Sequence, residues 1–174
     1  MKHLTTTLAV AALSVAAFAA PAHAIGTPKA GEFVQKASIG GMFEVQESQL
    51  ALQKSTNTDV KGFAQHMIDD HTAANNTLKS TAEQAGFGSS VATALDSKHQ
   101  KMFDKLSKED AGKDFDKQYV DDQKKAHKEA VSLFKKYGDK GDNAALKSFA
   151  STTEPTLQAH EDALKAVDDS VGKE

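Results

Sequence analysis

The chain of 174 residues contains no cysteine, no tryptophan and no arginine, and it has only three prolines and two tyrosines. Without cysteine the protein has no disulfide bonds, no thiol chemistry and no lipid attached through sulfur. Aromatic residues make up 6% of the chain, and no segment keeps the strict apolar–polar alternation of a half-buried strand. These absences argue against a disulfide-stabilised fold and against a β-sheet protein.

Charge of one sign is not concentrated anywhere in the sequence. The formal net charge is −3 at pH 7, and the lysines are interspersed with acidic residues. A nucleic-acid surface or a strongly basic membrane patch needs clustered positive charge. We therefore expect no nucleic-acid partner.

Only one long apolar run is present, and it lies at the N-terminus. A short basic start at Lys2 and His3 precedes the small and apolar segment Leu4–Ala20, and the A-x-A pattern AHA follows at positions 22–24. This order predicts a secretory signal peptide over residues 1–24. The alternative, a membrane anchor, would need about 20 apolar residues. Because no second run is long enough to span a bilayer, we expect a periplasmic or secreted protein without an integral membrane span after cleavage.

The remaining sequence has helical periodicity. Residues 25–31 form a short lead containing glycine and proline, and residues 32–170 are predicted to form one helical domain. Long helices are expected at about 32–54, 58–85, 112–137 and 142–169, with a shorter helix within 91–106. Gly138 is the predicted end of the third long helix. Asp142 is the predicted cap of the fourth, and Pro155 is a predicted kink in it.

The lengths of the connections predict the topology. Short turns join the first two long helices and the last two, so each of these pairs should be antiparallel. The middle connection carries its own helix, and about fifteen helical residues span ~22 Å, enough to return the chain to its starting end. The second and third long helices would then be parallel. We therefore predict an all-α, ferritin-like four-helix bundle with a short extra helix in the crossover; a plain five-helix array is the alternative.

Each long helix places one potential metal ligand on or beside its apolar stripe. These residues are Glu44, His71, His127 and His160. Ionisable groups are costly to bury without partners, and one polar residue per helix is how metal sites are built inside bundles. Imidazole and carboxylate ligands suit Zn, Fe, Ni or Cu rather than Ca or Mg. The residues placed to support them are Asp70, Tyr119, Gln123 and Glu47.

Counting outward from the turns does not bring all four residues to one level. On the first pair of helices, the count places Glu44 close to His71. On the second pair, it places His160 opposite Val120, some seven residues or ~10 Å from His127. Two smaller polar clusters, in which neutral histidines hydrogen-bond to nearby polar groups, therefore explain the pattern as well as one metal centre does.

Other polar and small residues have simpler explanations. His99, in the short helix, is expected to face water, and His66 is expected at the flank of its helix. Gly40 and Gly41 indicate close helix packing rather than phosphate binding.

Three segments of the chain resemble a known family. They are FVQKASIGGMFEVQESQLALQKSTNTDVKGFAQHMIDDHT, FDKQYVDDQKKAHKEAVSLF and LKSFASTTEPTLQAHEDAL. They are similar to domain of unknown function 4142, a family of bacterial exported proteins that are classed as ferritin-like and often labelled outer-membrane proteins. The resemblance covers nearly all of the chain after residue 24. It implies a helical bundle in the bacterial envelope and no established activity.

The sequence departs from the di-metal members of the ferritin-like fold. Those proteins use Glu-x-x-His on two helices, whereas the residue three positions before each core histidine here is Ile, Lys or Leu. A standard di-iron carboxylate site is therefore not expected. The H-E-x-x-H, Walker and G-x-S-x-G motifs are also absent.

Three functions remain compatible with the sequence. The first is a structural, interaction or stress-related protein of the envelope, without catalysis, whose helical faces bind a protein partner or an identical copy. The second is a transition-metal-binding bundle that uses the buried His/Glu cluster. The third is a ferritin-type oxidoreductase, which we place last because its motif is incomplete.

Overall fold

The computed structural model describes residues 26–173, which form five α-helices and one 3-10 turn. The helices are α1 (Ala30–Lys54), α2 (Thr58–Gln84), α3 (Ser97–Lys108), α4 (Lys113–Lys140) and α5 (Ala144–Gly172), and the 3-10 turn is Gly88–Ser90. No strand occurs within residues 26–173, and the predicted all-α fold is confirmed. The predicted signal peptide lies outside the described residues.

Asparagine caps begin the two helices that follow tight turns. The side chain of Asn57 accepts hydrogen bonds from the backbone N–H groups of Asp59 and Val60 at the start of α2. Asn143 accepts one from the N–H of Leu146 at the start of α5. Such caps satisfy N–H groups that have no partner within the helix. They allow the chain to reverse within three residues, so α1–α2 and α4–α5 are antiparallel pairs.

The four long helices form a bundle in which every neighbouring pair is antiparallel. At one end, Phe33 of α1 stacks on Tyr137 near the end of α4, with ring centroids 4.1 Å apart. At the other end, the Asn57 side-chain amide donates to the Ser170 hydroxyl of α5 at 3.0 Å. Helices α2 and α4 therefore run parallel on a diagonal of the bundle. This is the predicted ferritin-like arrangement, and it is confirmed.

The crossover runs along the outside of α1. Near its start, the backbone N–H of Ala92 donates to the Ser38 hydroxyl at 2.9 Å. At the end of α3, the Lys54 ammonium donates to the carbonyls of Ser107 and Glu109, each at 2.7 Å. These contacts show that α3 carries the chain back from the end of α2 to the start of α4, as predicted.

The turn between α4 and α5 differs from the prediction. Helix α4 continues through Gly138 to Lys140. A Cβ at Gly138 would lie 2.6 Å from the Ser151 hydroxyl oxygen, so this glycine permits close approach of α5 and does not end α4. Asp142, predicted as the cap of the last helix, instead accepts a hydrogen bond from the Tyr137 hydroxyl at 3.1 Å. The cap is the next residue.

Three other predicted boundaries also shift. Helix α1 begins at Ala30, inside the segment predicted as a lead, because the Lys29 carbonyl already accepts the N–H of Phe33 at 2.9 Å. Helix α3 runs two residues past Leu106. Helix α5 continues through Pro155 and extends to Gly172.

The core has two apolar clusters, one toward each end of the bundle, with a polar layer between them. The first contains, among others, Phe33, Val34, Leu78, Phe134, Tyr137, Leu146 and Phe149. The second contains, among others, Val60, Phe63, Met67, Leu106, Phe115, Tyr119 and Leu164. Buried polar side chains between the clusters include Glu44, Glu47, Ser48, His71, Gln123, His127 and His160. Among residues 26–173, no helix is both long and apolar enough to cross a membrane.

Candidate metal centre

Three histidines from three helices meet in the polar layer. His71 Nε2 lies 3.4 Å from His127 Nε2, and His127 Nε2 lies 3.3 Å from His160 Nδ1. One nitrogen from each ring falls within 4.8 Å of the other two. All three side chains are buried. The histidines predicted on separate helices therefore form one cluster.

The register count that separated His127 from His160 by ~10 Å is wrong. Helix α4 ends at Lys140 and α5 begins at Ala144. His160 is 16 residues after Ala144 (160 − 144), so it faces the residue 16 before Lys140, which is Lys124 (140 − 16). The predicted position was four residues further from the turn. His127 is only three residues, or ~4.5 Å, from that level, and the side chains close this gap.

Each ring is held by a hydrogen bond from the nitrogen that does not enter the cluster. His127 Nδ1 donates to the Gln123 backbone carbonyl at 2.9 Å. His160 Nε2 donates to Asp70 Oδ2 at 2.9 Å. His71 Nδ1 lies 3.0 Å from Glu44 Oε2. Metal-binding histidines are oriented in this way, because a proton on one nitrogen leaves the lone pair on the other free to bind.

The spacing of the converging nitrogens fits a small divalent ion. A tetrahedral ion about 2.0–2.1 Å from each nitrogen separates them by about 3.3–3.4 Å. The two His–His separations are 3.4 and 3.3 Å. Two of the three separations therefore match tetrahedral coordination, and the third is within 4.8 Å.

Burial keeps the histidines neutral. It lowers the pKa of His71 well below its usual range, and the neighbouring histidines add to the effect. It lowers the pKa of His127 to about 4. The pKa of His160 is also lowered by burial, although the hydrogen bond to Asp70 opposes the shift. Neutral imidazole is the form that binds metal.

Glu44 supports two of the three rings. It lies beside Nδ1 of His71, and its Oε1 is 3.5 Å from Nδ1 of His127. That oxygen is buried without a hydrogen-bond partner. Burial raises the pKa of Glu44 to about 8, so the contact with His71 joins groups of no net charge rather than two opposite charges. A cation in the cluster would favour the ionised carboxylate.

The other predicted supporting residues have different roles. Gln123 holds His127 through its backbone carbonyl, while its side chain donates to Glu47 Oε2 at 3.1 Å. Burial raises the pKa of Glu47 to about 9, and the Asp122 charge adds to the shift. Tyr119 contacts no histidine by hydrogen bond; its hydroxyl pairs with Ser48 at 2.9 Å. Glu47 and Tyr119 therefore belong to the adjoining polar network.

The structure also brings in a histidine that the sequence placed at the flank. His66 Nε2 is 3.1 Å from Asp70 Oδ2, and His66, Asp70 and His160 form a second group with ligand atoms within 4.8 Å of one another. The i, i+4 spacing of His66 and Asp70 was the available signal. The prediction that His99 faces water is wrong. Its side chain is 14% exposed and lies against Phe43.

A cavity of about 840 Å³ borders the cluster on the side of Glu44 and His71. Its wall includes several small residues from the predicted apolar stripes, among them Ala37, Gly40, Ala74, Ala126 and Ala130. Small side chains on this wall leave the space beside the site unfilled.

Comparison with known proteins gives one structural relative and one family. A solved structure described as "CopM in the Cu(II)-bound form" is similar to this chain with a TM-score of 0.66 and 17% sequence identity, covering 80% of this chain and 95% of that chain. At this identity the likeness concerns the fold. No curated protein matches the sequence. A family model matches residues 15–167, and the chain belongs to that family, described as a domain of unknown function, DUF4142.

Proposed function

We propose that this protein binds a divalent transition-metal ion through His71 Nε2, His127 Nε2 and His160 Nδ1. One observation carries the proposal. Three buried rings each bring one nitrogen to within 4.8 Å of the other two, and the other nitrogen of each ring contacts a group that can accept its proton. A structural cluster of neutral histidines has no need for this common orientation, whereas a metal site requires it.

Glu44 acts beside the ion and not as one of its ligands. Its carboxylate contacts the Nδ1 atoms of His71 and His127, which face away from the converging nitrogens. Ionised Glu44 would fix the His71 tautomer and offset part of the cation's charge. This matters because an uncompensated charge is costly in the core of a bundle.

Copper is the first ion to test. Divalent metals bind nitrogen sites with affinities that rise to Cu²⁺ along the first transition row. The solved structure with a similar fold contains Cu(II), which supports the choice without deciding it. Zn and Ni are tested next and Fe last, since imidazole suits all of these ions. Three protein ligands leave at least one coordination position open.

We prefer metal binding to the interaction-protein hypothesis because the convergence of three histidines is a positive structural observation. The proposed role is binding or storage of the ion without catalysis. We further propose that the protein is exported and works in the bacterial envelope, on the basis of the signal-peptide pattern over residues 1–24. Intact-mass analysis of the periplasmic fraction should find a chain that starts at Ile25, and recovery of the chain with Met1 would contradict export with cleavage.

The metal proposal is tested on protein purified without a histidine tag and stripped with a chelator. An ion at a hundredfold excess over its Kd should stabilise the fold by about 2.7 kcal/mol, which raises Tm by roughly 5–10 °C for a chain of this size. Bound metal should reach one ion per chain in the dialysed protein.

The variants make this test specific. The double variant His71→Ala, His160→Ala should lose the Tm response and the bound ion, while His99→Ala, which removes a histidine outside the cluster, should keep both. Far-UV circular dichroism shows whether each variant is folded. Equal stabilisation of the wild type and the double variant, or no response in either, would reject the metal site.

A further inference from the structure

A line of potential ligand atoms leads from the protein surface into the three-histidine cluster. His66 Nε2 lies 3.1 Å from Asp70 Oδ2, the same oxygen lies 2.9 Å from His160 Nε2, and His160 Nδ1 lies 3.3 Å from His127 Nε2. Side-chain exposure falls along this line from 61% at His66 to 36% at Asp70 and 2% at His160. The cluster is thus connected to solvent through groups that bind metals.

His160 belongs to both halves of this line. Its Nδ1 faces the cluster, and its Nε2 faces Asp70. The ring of His66 lies edge-on to the ring of His160, with centroids 5.3 Å apart. His66, Asp70 and His160 present ligand atoms within 4.8 Å of one another, so the outer group has three donors of the kinds that transition metals prefer.

The inner ligands are buried, and two approaches reach them. One is the cavity beside Glu44 and His71, and the other is the line of ligand atoms from His66, which carries a second group of potential metal ligands. His71 and His127 are buried, and a buried site must be loaded through a path that replaces the ion's water ligands in steps. A shallow groove between α2 and α5 opens beside His66 and is lined by residues that include Gly62, Phe63 and Ala163. The outer group therefore lies where an ion from solution can arrive.

We propose that His66, Asp70 and His160 form an outer metal-binding site through which the ion enters and leaves the buried three-histidine site. This inference rests on the proposed metal-binding function. The ion is first held by His66 Nε2, Asp70 and His160 Nε2. It then moves inward as His127 and His71 replace His66 and Asp70, and His160 changes the nitrogen that it offers.

The protons balance in this exchange. While the ion is outside, the single proton of neutral His160 is on Nδ1, which donates it to His127 Nε2. Once the ion is inside, Nδ1 binds it and the proton is on Nε2, which donates to Asp70 as in the present structure. His160 is a neutral imidazole at both stages, and no oxidant, reductant or net proton is required.

His99, the remaining histidine within residues 26–173, shows what is particular to this group. His99 pairs with Asp96 at 2.7 Å, but that pair belongs to neither of the ligand groups found in residues 26–173. A histidine–carboxylate contact alone is common on helices. The third ligand, shared with the buried cluster, distinguishes His66 and Asp70.

The test measures rates and affinity separately with Cu(II). Stopped-flow mixing gives the uptake rate, and transfer from the loaded protein to excess EDTA gives the release rate, both followed by the visible absorbance of bound copper. His66→Ala should slow uptake and release alike by about tenfold or more, in line with the loss of one metal-contacting group. Its equilibrium affinity should stay within about twofold of wild type, because a residue on the path alone lowers the barrier from both sides.

Two further variants sharpen the test. Gln65→Ala changes the neighbouring exposed residue on α2 and should leave both rates unchanged. His66→Asp retains a ligand at the surface and should restore most of the rate lost in His66→Ala. A merely structural role of His66 would not give this rescue.

Each other outcome overturns the inference. Unchanged rates in His66→Ala would show that the ion enters elsewhere. A loss of affinity with an unchanged release rate, or failure of His66→Asp to restore the rates, would show that His66 acts in another way. Copper binding by wild type with any of these results would leave the three-histidine site standing, whereas no copper binding by wild type would reject both proposals.

Discussion

His71 Nε2 and His127 Nε2 face each other at 3.4 Å in the core of the bundle. Burial lowers the pKa of both rings, so neither is expected to be protonated on both nitrogens at neutral pH. With His127 donating from Nδ1 to Gln123, its Nε2 has only a lone pair to offer. The contact is favourable only when a proton of His71 or a bound cation lies between the two atoms.

Replacing Glu44 with glutamine should weaken metal binding by about 10–100-fold, as expected when the partner of a metal-binding histidine is altered. In Glu44→Gln the side-chain oxygen can still accept a proton from His71, but it no longer offsets the cation's charge. Competition titration against a chelator measures the affinity. Glu83→Gln, an exposed glutamate paired with Lys79, is the matched control and should match wild type. An unchanged affinity in Glu44→Gln would show that this carboxylate does not support the site.

Glu47 should make the metal-free protein less stable as the pH rises. Glu44, whose pKa is also raised, acts in the same direction, and the buried histidines, whose pKa values are lowered, act in the opposite direction. The pKa of Glu47 in the folded protein is raised to about 9 by burial, from 4.5. A raised pKa means that its contribution is fully present below pH 4.5 and is lost as the pH rises toward 9, by up to about 1.4 kcal/mol per pH unit. Glu47→Gln removes the contribution of Glu47 alone, so the difference in stability between the variant and wild type should grow in favour of the variant between pH 5 and 9.

Denaturant unfolding with a chelator present, at several pH values, measures this difference. Glu32→Gln is the control in the same helix, since Glu32 is exposed and its hydrogen bond with Lys36 lowers its pKa. That variant and wild type should have parallel stability profiles above pH 6. If the stability profiles of Glu47→Gln and wild type were also parallel, Glu47 would be ionised in the folded protein.

The two adjacent glycines of α1 should respond differently to replacement by alanine. A Cβ at Gly40 meets nothing within 4 Å, whereas a Cβ at Gly41 would lie 2.1 Å from Asn75 Oδ1. Gly40→Ala should stabilise the protein by about 0.5–1 kcal/mol, because alanine loses less backbone entropy in a helix. Gly41→Ala must displace the end of the Asn75 side chain and should therefore stabilise the protein less than Gly40→Ala does. Urea midpoints compare the two, and a larger gain for Gly41→Ala than for Gly40→Ala would contradict the close α1–α2 approach at Gly41.

The hydrogen bond between Ser48 and Tyr119 should be measurable as a coupling between the two residues. Tyr119→Phe leaves the buried Ser48 hydroxyl without this partner and should destabilise the fold by about 1–3 kcal/mol. Ser48→Ala should have a similar effect, because it leaves the buried Tyr119 hydroxyl without this partner. The double variant should cost less than the sum of the two single variants. Strict additivity in thermal or urea unfolding would show that the 2.9 Å contact contributes nothing.

Much of the fold was predictable because it depends on local chemistry. Helical periodicity located the long helices, and the short connections between them predicted the reversals. The failures were at positions where a distant contact decides the outcome. Gly138 has the residue type of a helix end, but the approach of Ser151 explains why glycine is there. His99 is on a polar helix, but Phe43 of α1 covers one side of it.

The sequence by itself determined which residues enter the core, because an apolar stripe with a 3.6-residue period places Glu44, His71, His127 and His160 on inward faces. It did not determine that the three histidines meet. Their convergence depends on the lengths of α4 and α5 at their shared turn, where a shift of four residues moves facing side chains by ~6 Å. Such a shift exceeds the tolerance of a metal site. The link from His66 through Asp70 to His160 likewise exists only because α2 packs against α5, since residues 66 and 160 are remote in the chain and become neighbours only in the assembled bundle.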